Sequence, residues 1–143
     1  MSDSSARSPR ETAELLLRIV TEPERSGLAD LYAPDARIEN VWAPGGPAVV
    51  EGREVIRARM SGSAGLWDFE SVDDVFLHET GDPEVVILEY RVAGRIRPNG
   101  ARFSLGFVSV LRVVDGLIVH ARDYSNPQET AALMPLLEAG SAG

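Results

Sequence analysis

Four strand-like runs in the second half of the chain place the strongest constraint on its fold. Short turn sequences separate these runs, which span residues 66–79, 84–96, 102–114 and 117–124. The last turn, Asp115-Gly116, is a dipeptide that two-residue β-hairpins favour. We therefore expect the four runs to form neighbouring strands of one antiparallel sheet.

The first half of the chain and its last residues carry helical patterns. Ser8 can cap a helix, Pro9 suits its first position, and apolar residues then recur at helical spacing. Asn126 can cap a last helix in the same way. The expected helices cover residues 9–20, 24–32, 52–60 and 127–139, with a strand over 36–42 and a turn-rich loop over 43–47. Because strands and helices are segregated along the chain, we predict an α+β fold with helices on one side of the sheet.

The 143 residues are predicted to form one domain. We assign this domain to residues 9–139, with a disordered leader over 1–8 and a flexible tail over 140–143. No stretch approaches the roughly 20 consecutive apolar residues of a membrane-spanning helix. Residues 1–10 also lack the apolar segment of a secretory signal, so we expect a cytoplasmic protein.

Composition removes several classes of chemistry. The chain has no cysteine, which excludes disulfides, a thiol nucleophile and cysteine-ligated metals. All 14 basic residues are arginine, so no lysine can form a Schiff base or serve a phosphate-binding loop. The two histidines lack carboxylates at ligand spacing, and we expect no metal and no other cofactor. A net charge of −8 argues against nucleic acid as a partner.

Side-chain alternation divides the predicted sheet into two faces. The inner face is expected to carry Val86, Leu88, Tyr90, Phe103, Leu105, Phe107, Leu117, Val119 and Ala121. The outer face is expected to carry Val85, Ile87, Val108, Val110 and Ile118 among charged residues. A solvated face seldom has so many β-branched residues at its centre. We expect the outer face to pack against a second copy of the chain; strand preference without a partner is the alternative.

Three polar residues interrupt the apolar patterns and are the candidate catalytic residues. Asp123 continues the inner-face series of the last strand, where a carboxyl must be hydrogen-bonded, raised in pKa or wetted by a cavity. Such a group suits a general acid or base, whereas a helix N-cap or an ion pair with Arg122 is the structural alternative. Asn40 and Tyr90 could orient a substrate oxygen, or be satisfied within the protein itself.

Aromatic and apolar residues near these candidates are expected to form the walls of a substrate-binding pocket. Trp and Phe side chains offer the large apolar area that a hydrophobic ligand needs. The expected wall residues are Trp42, Trp67, Phe69, Leu88, Phe103, Leu105 and Phe107. Packing in the protein core is the alternative for each of them.

Three stretches resemble the nuclear transport factor 2-like superfamily, of the SnoaL-like cyclase and ketosteroid isomerase type. These stretches cover residues 31–40, 43–57 and 120–127, and the resemblance spans about residues 10–138. It implies a curved antiparallel sheet that three N-terminal helices and a short C-terminal helix wrap into a cone-shaped apolar pocket. It also implies a homodimer through the outer sheet face and catalysis without a cofactor.

The stretch His120-Ala121-Arg122-Asp123-Tyr124-Ser125-Asn126-Pro127 is particularly similar to the phenazine biosynthesis A/B-type branch. In that branch an acidic residue matching Asp123 faces the pocket as acid or base, although it is a glutamate there. The limonene epoxide hydrolase branch has a similar strand exit, but it needs an Arg and an Asp where this chain has Tyr90 and Val92.

These observations lead to one functional hypothesis with two alternatives. We expect a cofactor-independent isomerase or cyclase of secondary metabolism, in which Asp123 moves a proton while Tyr90 and Asn40 hold the substrate. The expected substrate is a hydrophobic, oxygenated small molecule such as a polyketide. A non-catalytic small-molecule binding module and an epoxide-opening hydrolase or cyclase are the alternatives.

Overall fold

A computed structural model describes residues 6–22, 25–63 and 65–142 of the chain. Helices and strands alternate in its first half, and four consecutive strands fill its second half. The elements are α1 (Pro9–Ile19), a 3-10 helix (Arg25–Leu31), β1 (Tyr32–Asn40), β2 (Ala48–Glu51), α2 (Arg53–Ser63), β3 (Trp67–Glu79), β4 (Val85–Ile96), β5 (Arg102–Val114), β6 (Leu117–Ser125) and α3 (Pro127–Ala142). The predicted α+β class and the four long strands are therefore confirmed.

The six strands form one sheet in the order β2-β1-β6-β5-β4-β3. Strands β3 to β6 are antiparallel neighbours, as expected from their tight turns. However, β1 pairs with β6 in parallel, so the sheet is mixed and the prediction of an antiparallel sheet is wrong. Parallel pairing is possible here because α2 and four strands separate β1 from β6 in sequence, which provides the long connection it needs.

Two further expectations for the first half are corrected. The helix predicted over 24–32 is the seven-residue 3-10 helix Arg25–Leu31, so only one α-helix precedes β1. The four-residue strand β2, at the end of the expected loop, was not predicted, and it pairs antiparallel to β1. Strand β1 begins at Tyr32, four residues before the predicted start at 36, because Tyr32 pairs with Ile118 of β6 rather than continues the helical turn.

Helix caps agree with the sequence signals at both ends of the chain. The Ser8 side chain accepts a hydrogen bond from the Glu11 backbone N–H, and the Glu11 carboxylate accepts one from the Ser8 backbone N–H. At α3, the Asn126 side chain accepts from the Gln128 N–H at 2.9 Å. Within the described residues, no helix is long and apolar enough to cross a membrane.

The ends of the predicted domain are only partly described. Residues 1–5 of the expected leader lie outside the described residues, whereas Arg7 donates a hydrogen bond to the Gly116 carbonyl at 3.2 Å. Helix α3 continues to Ala142, and residue 143 lies outside the described residues. The domain bounds and the flexibility of the two ends stay predictions.

The inner face of the sheet forms the main core with α1, the 3-10 helix and α2. Val86, Leu111 and Ala121 are buried there as neighbours across β4, β5 and β6. Ile118 is also fully buried in this core, although alternation places it on the outer face. The reason is an irregularity in β6: Arg112 of β5 pairs with His120, but the next residue, Val113, pairs with Ile118. A bulge of this kind adds a residue to one strand and reverses the side-chain phase on either side of it.

Gly94 in β4 is required by a close approach of β3. It faces Phe69 in the β3–β4 pairing, next to an irregularity between Phe69 and Ser71. A methyl group at this position would overlap the Asp68 backbone carbonyl and press against the Phe103 ring. Backbone cannot yield as a flexible side chain does, so the sheet edge needs glycine here.

Gly94→Ala is expected to lower the free energy of unfolding by about 1–3 kcal/mol, the usual cost of overpacking. Gly62→Ala is the matched control, because Gly62 lies in α2 with open space around its Cα. This second change should be neutral or stabilise by up to about 1 kcal/mol, since alanine favours a helix. Urea denaturation of both variants measures the difference, and equal stabilities would contradict the packing argument.

Candidate active site

A cavity of about 290 Å³ lies between the inner face of the sheet and the helices that cover it. Its apolar wall includes Leu16 of α1, Leu28 of the 3-10 helix and Ile56 of α2, together with Trp67 and Phe69 of β3. Six side chains bring charge, an amide or a phenol to the lining: Arg25, Tyr32, Asn40, Arg59, Tyr90 and Asp123. This volume is near the lower end for ligand sites and suits a molecule of one or two rings.

Asp123 is the acidic residue of the cavity lining. It lies in β6 between Ser109 of β5 and Asn40 of β1, and it points inward because alternation is regular beyond the bulge. The Ser109 hydroxyl donates to Asp123 Oδ1 at 2.8 Å. Burial raises the pKa of Asp123 to about 6, and the Ser109 hydrogen bond opposes this rise in part.

Neither structural alternative for Asp123 holds. The cap of α3 is Asn126, and the Arg122 guanidinium lies over the Tyr124 ring at 5.7 Å. Among the ion pairs of the described residues, none includes Asp123. A carboxyl with a pKa of about 6 exists in both protonation states near neutral pH, so it can accept a proton and return it.

Two tyrosines approach the same cavity. Tyr90 of β4 stacks on Phe107 with ring centroids 5.5 Å apart, and the nearby Ser109 hydroxyl partly offsets the rise in the pKa of its phenol. Tyr32, at the start of β1, is 6% exposed and was not predicted as a site residue. Burial is the main cause that raises the pKa of both phenols, and the charge of Asp123 adds to it. Both tyrosines therefore stay protonated and can act as donors.

Asn40 reaches the cavity from the end of β1, where the residue is exposed. The backbone N–H of the following residue, Val41, donates to the Asp123 carbonyl at 3.1 Å and holds this strand end beside β6. The Asn40 side chain makes no hydrogen bond within the described part of the chain. Its amide is thus at the mouth of the cavity, on the strand next to Asp123.

Arg25 and Arg59 bring positive charge to the lining. Arg25 is buried, its guanidinium lies 4.7 Å from the centre of the Phe69 ring, and it donates to the Trp67 carbonyl at 3.4 Å. Such stacking keeps a buried guanidinium in a defined plane. Neither arginine was predicted, because an isolated arginine in a helical segment carries no sequence signal for burial.

The structure brings together part of the expected site. Asp123, Tyr90, Asn40, Trp67 and Phe69 line one cavity, as the sequence indicated. The other expected wall residues are not in its lining: these are Trp42, Leu88, Phe103, Leu105 and Phe107.

Two physical reasons explain the residues that do not line the cavity. Leu88 is fully buried beneath α1, while Phe103, Leu105 and Phe107 belong to a second core cluster that contains Leu133 of α3. Helix α3 thus covers the part of the inner face that the sequence assigned to ligand. Trp42 is 55% exposed and contacts Tyr124 edge-on at 5.0 Å, outside the cavity.

A larger hollow of about 460 Å³ is lined by Trp42, Phe76, Val108 and Tyr124 among others, and the inner-face residues Tyr90 and Phe107 also reach it. Three of its four charged side chains are paired: Glu89 lies 2.6 Å from His78, and Arg91 donates to Glu129 at 2.8 Å. This pairing helps to keep the pKa of Glu129 low. Burial raises the pKa of Asp123, whereas the pKa of Glu129 is lowered, so the inner cavity is the better candidate for proton transfer.

Neither histidine lies in the inner cavity. His78 pairs with Glu89 at 2.6 Å and His120 with Glu39 at 3.2 Å. Both pairs join neighbouring strands outside the cavity lining. Among the described residues, no group of three or more His, Asp or Glu side chains could hold a metal ion.

Known proteins are similar to this chain in sequence and in fold. The family model of the SnoaL-like domain matches residues 13–121. An uncharacterized PhzA/B-like protein of Pseudomonas aeruginosa is 34% identical over 115 residues, which are 78% of this chain and 79% of that protein.

Solved structures agree with this match. The crystal structure of a "putative isomerase" from Bacillus subtilis superposes with a TM-score of 0.81 at 24% identity, over 89% of this chain and 92% of that one. An LEH-like epoxide hydrolase of M. tuberculosis superposes with a TM-score of 0.68 at 21% identity, over 94% and 96% of the two chains. These identities show a shared fold, and the family match covers most of the domain. The chain therefore belongs to the SnoaL-like family of the nuclear transport factor 2-like superfamily.

Proposed function

We propose that this protein is a cofactor-independent isomerase or cyclase that acts on a small, hydrophobic, oxygenated molecule of secondary metabolism. One observation carries the proposal: Asp123 is a carboxyl in an apolar cavity, with one serine hydrogen bond and a pKa raised to about 6. The fold of the "putative isomerase" and the PhzA/B-like relative are compatible with this reading. In the proposal, the cavity is the inner part of a cone-shaped pocket.

The proposed reaction starts with a proton transfer from carbon to Asp123. The ionised carboxylate removes a proton from a carbon next to a carbonyl, and the C–H electron pair forms a carbon–carbon double bond as the carbonyl becomes an oxyanion. Return of the proton to another carbon completes an isomerisation. Alternatively, the enolate carbon attacks a second carbonyl, whose oxygen then takes the proton back from Asp123 and completes a cyclisation. A positioned acid or base typically contributes about 10²–10⁴-fold to such a rate.

The remaining polar groups support this step in distinct ways. Ser109 holds Asp123 in place, and Tyr90, whose phenol stays protonated in the cavity lining, can donate a hydrogen bond to the substrate. Asn40 is placed to hydrogen-bond a polar group at the mouth of the cavity. The apolar wall favours a neutral or weakly solvated ring system and removes water from the proton transfer.

The proposal is distinguished from both alternatives by its proton chemistry. An epoxide hydrolase of the limonene type would need charged residues where this chain has Tyr90 and Val92, and Val92 is fully buried. A binding module would hold the same ligands without moving protons. Measurement of proton exchange on a bound ketone therefore separates the three functions.

We also propose that the outer face packs against a second copy of the chain. Val85, Ile87, Val108 and Val110 form an apolar patch on this face, and each is only partly buried within one chain. Two-fold association is the commonest way to cover such a patch.

Asp123→Asn is expected to abolish hydrogen–deuterium exchange at the acidic C–H groups of 2-tetralone and 2-indanone in D₂O. Both ketones are fused two-ring molecules, which suits the cavity of about 290 Å³. The wild-type protein should accelerate the exchange, followed by proton NMR, and the variant should lose about 100-fold or more of that acceleration.

Asp115→Asn is the control for this experiment, because Asp115 lies exposed in the β5–β6 hairpin and asparagine tolerates its positive φ of 51°. It should exchange both ketones like the wild type. A cavity that binds neither ketone, or exchange that survives Asp123→Asn, would overturn the proposal.

Asp123→Asn should also change how stability depends on pH. Burial raises the pKa of Asp123 from 3.8 to about 6, so folding favours the protonated carboxyl. The stability contribution of Asp123 is full below pH 3.8 and is lost as the pH rises through about 6, by about 3 kcal/mol in total. The variant cannot ionise there, so its free energy of unfolding relative to the wild type should rise by that amount between pH 4 and pH 7, as measured by urea denaturation.

Other groups facing Asp123 do not titrate in this range. Tyr32 and Tyr90 remain protonated, and Arg25 and Arg59 remain charged. Asp68→Asn is a control of opposite sign, because its bond to Arg97 lowers the pKa of Asp68 and stabilises the protein at neutral pH. A relative stability of Asp123→Asn that does not change with pH would show that the carboxyl is not desolvated.

Val110→Asp is expected to convert a wild-type dimer into a monomer, because the new charge lies in the centre of the outer patch. Val55→Asp introduces the same charge on an exposed position of α2 and should leave the dimer intact. Size-exclusion chromatography with light scattering measures both masses. A monomeric wild-type protein at micromolar concentration would refute the proposed interface.

A further inference from the structure

Helix α2 carries three arginines, and two of them bind other parts of the protein. Arg53 Nε donates to the backbone carbonyl at the start of β1 at 2.8 Å, and Arg57 pairs with Asp30 at 2.7 Å. Arg59 lines the inner cavity instead. Among the described residues, none forms a hydrogen bond or an ion pair with the Arg59 side chain. Its charge is therefore not explained by the packing of α2.

Arg59 lies on the side of α2 that turns toward the sheet. Residues at positions i, i+3 and i+4 share one side of a helix, and Ile56, Arg59 and Met60 have this spacing. All three line the inner cavity, and Ile56 is buried in the main core. Arg59 itself is exposed, so it lies at the rim of the cavity, where the lining meets water. A ligand that enters the cavity passes this positive charge.

Arg25 brings a second positive charge to the same lining, from the start of the 3-10 helix. The residue is buried, and its guanidinium lies 4.7 Å from the centre of the Phe69 ring. The neighbouring carboxylate of Asp68 is outside the lining and accepts a hydrogen bond from Arg97 at 2.7 Å. Two guanidinium groups therefore face the cavity, one inside it and one at its rim.

The charge of the lining is opposite to that of the whole protein. The chain has a net charge of −8, so its surface as a whole repels anions. The lining contains two arginines and a single carboxyl, that of Asp123, so it stays positive even when Asp123 is ionised. An anionic group is thus attracted to the rim, whereas the apolar wall accepts the uncharged part of the same molecule.

We propose that Arg59 is a specificity-determining residue that selects substrates with an anionic group, and a carboxylate fits a guanidinium best. The ring system of the substrate enters the apolar cavity toward Asp123. Its carboxylate stays at the rim on Arg59, and Arg25 adds a second positive charge. This inference deepens the proposed function and rests on the same cavity. The carboxylate contact is the same before and during the proton transfer, so Arg59 affects KM rather than kcat.

The test compares 2-naphthoate with 2-naphthamide, which have the same two rings and nearly the same shape but differ in charge. Isothermal titration calorimetry at pH 7.5 should show that the wild type binds 2-naphthoate about tenfold more tightly, because a charged donor meets a carboxylate. Arg59→Gln should lose this preference by weakening only 2-naphthoate. Arg18→Gln is the control and should keep the preference, because Arg18 is an exposed arginine of α1 outside the inner cavity.

Several results would overturn the inference. These are equal affinities of the wild type for the two probes, tighter binding of the amide, no saturable binding of either probe, and a preference that survives Arg59→Gln. The wild type alone gives a second measurement that does not depend on the folding of a variant. Salt raised from about 0.05 M to about 0.5 M should weaken 2-naphthoate severalfold but not 2-naphthamide, since it screens a charge at the rim. An unchanged affinity for 2-naphthoate would refute the contact.

A pair of ketones separates this inference from the proposed proton transfer. The pair is 2-tetralone and its 6-carboxy derivative, whose hydrogen–deuterium exchange is followed by proton NMR. Arg59→Gln should raise KM for the carboxylated ketone about tenfold and leave kcat within twofold. Preferential binding of 2-naphthoate without exchange of either ketone would refute only the proton transfer. Exchange of both ketones by the wild type with equal KM would refute only the selection of anions.

Discussion

The parallel pairing of β1 with β6 is the constraint on which the candidate site depends. It sets Asn40 beside Asp123 and Tyr32 beside Ile118, so two parts of the chain separated by about half its length share one cavity. Antiparallel pairing of β5 with β6 then places Ser109 against the other side of Asp123. The hairpins bring β3 to β6 together, whereas the long-range β1–β6 pairing adds the Asn40 amide and the Tyr32 phenol to the cavity that Asp123 lines.

The raised pKa of Asp123 follows from its having few polar partners among the described residues. One hydroxyl satisfies the carboxyl, and the described residues form no ion pair with it, so desolvation controls its pKa. Other carboxylates of the chain show the opposite behaviour: arginine partners lower the pKa of Asp30 and Asp68. The protein thus distinguishes a carboxyl that stabilises the folded chain from one whose ionisation costs stability, and this difference is the physical basis for assigning proton transfer to Asp123.

The sequence predicted those features that depend on neighbouring residues. The bounds of the four long strands agree to within one residue, because tight turns and alternation mark them locally. Asp123 was found by the same alternation. Ile118 was placed on the wrong face because a bulge cannot be recognised from alternation alone, and the β1–β6 pairing was missed because it joins distant segments. Tyr32 lies where a 3-10 helix meets a strand, so neither periodicity applies to it. Phe103, Leu105 and Phe107 face inward as predicted, but they do not line the cavity because α3 covers them. The sequence did not show where that helix packs.

The bulge in β6 divides this strand into two segments with independent orientation. The segment near the hairpin buries Ile118 in the core beside α1, where Thr12 also donates to the Gly116 carbonyl at 3.0 Å. The segment beyond it turns Ala121 and Asp123 inward. Packing at the hairpin can therefore be altered without rotating the carboxyl. In an evolving family this separation frees one end of the strand to adapt to its helix while the other end keeps its chemistry.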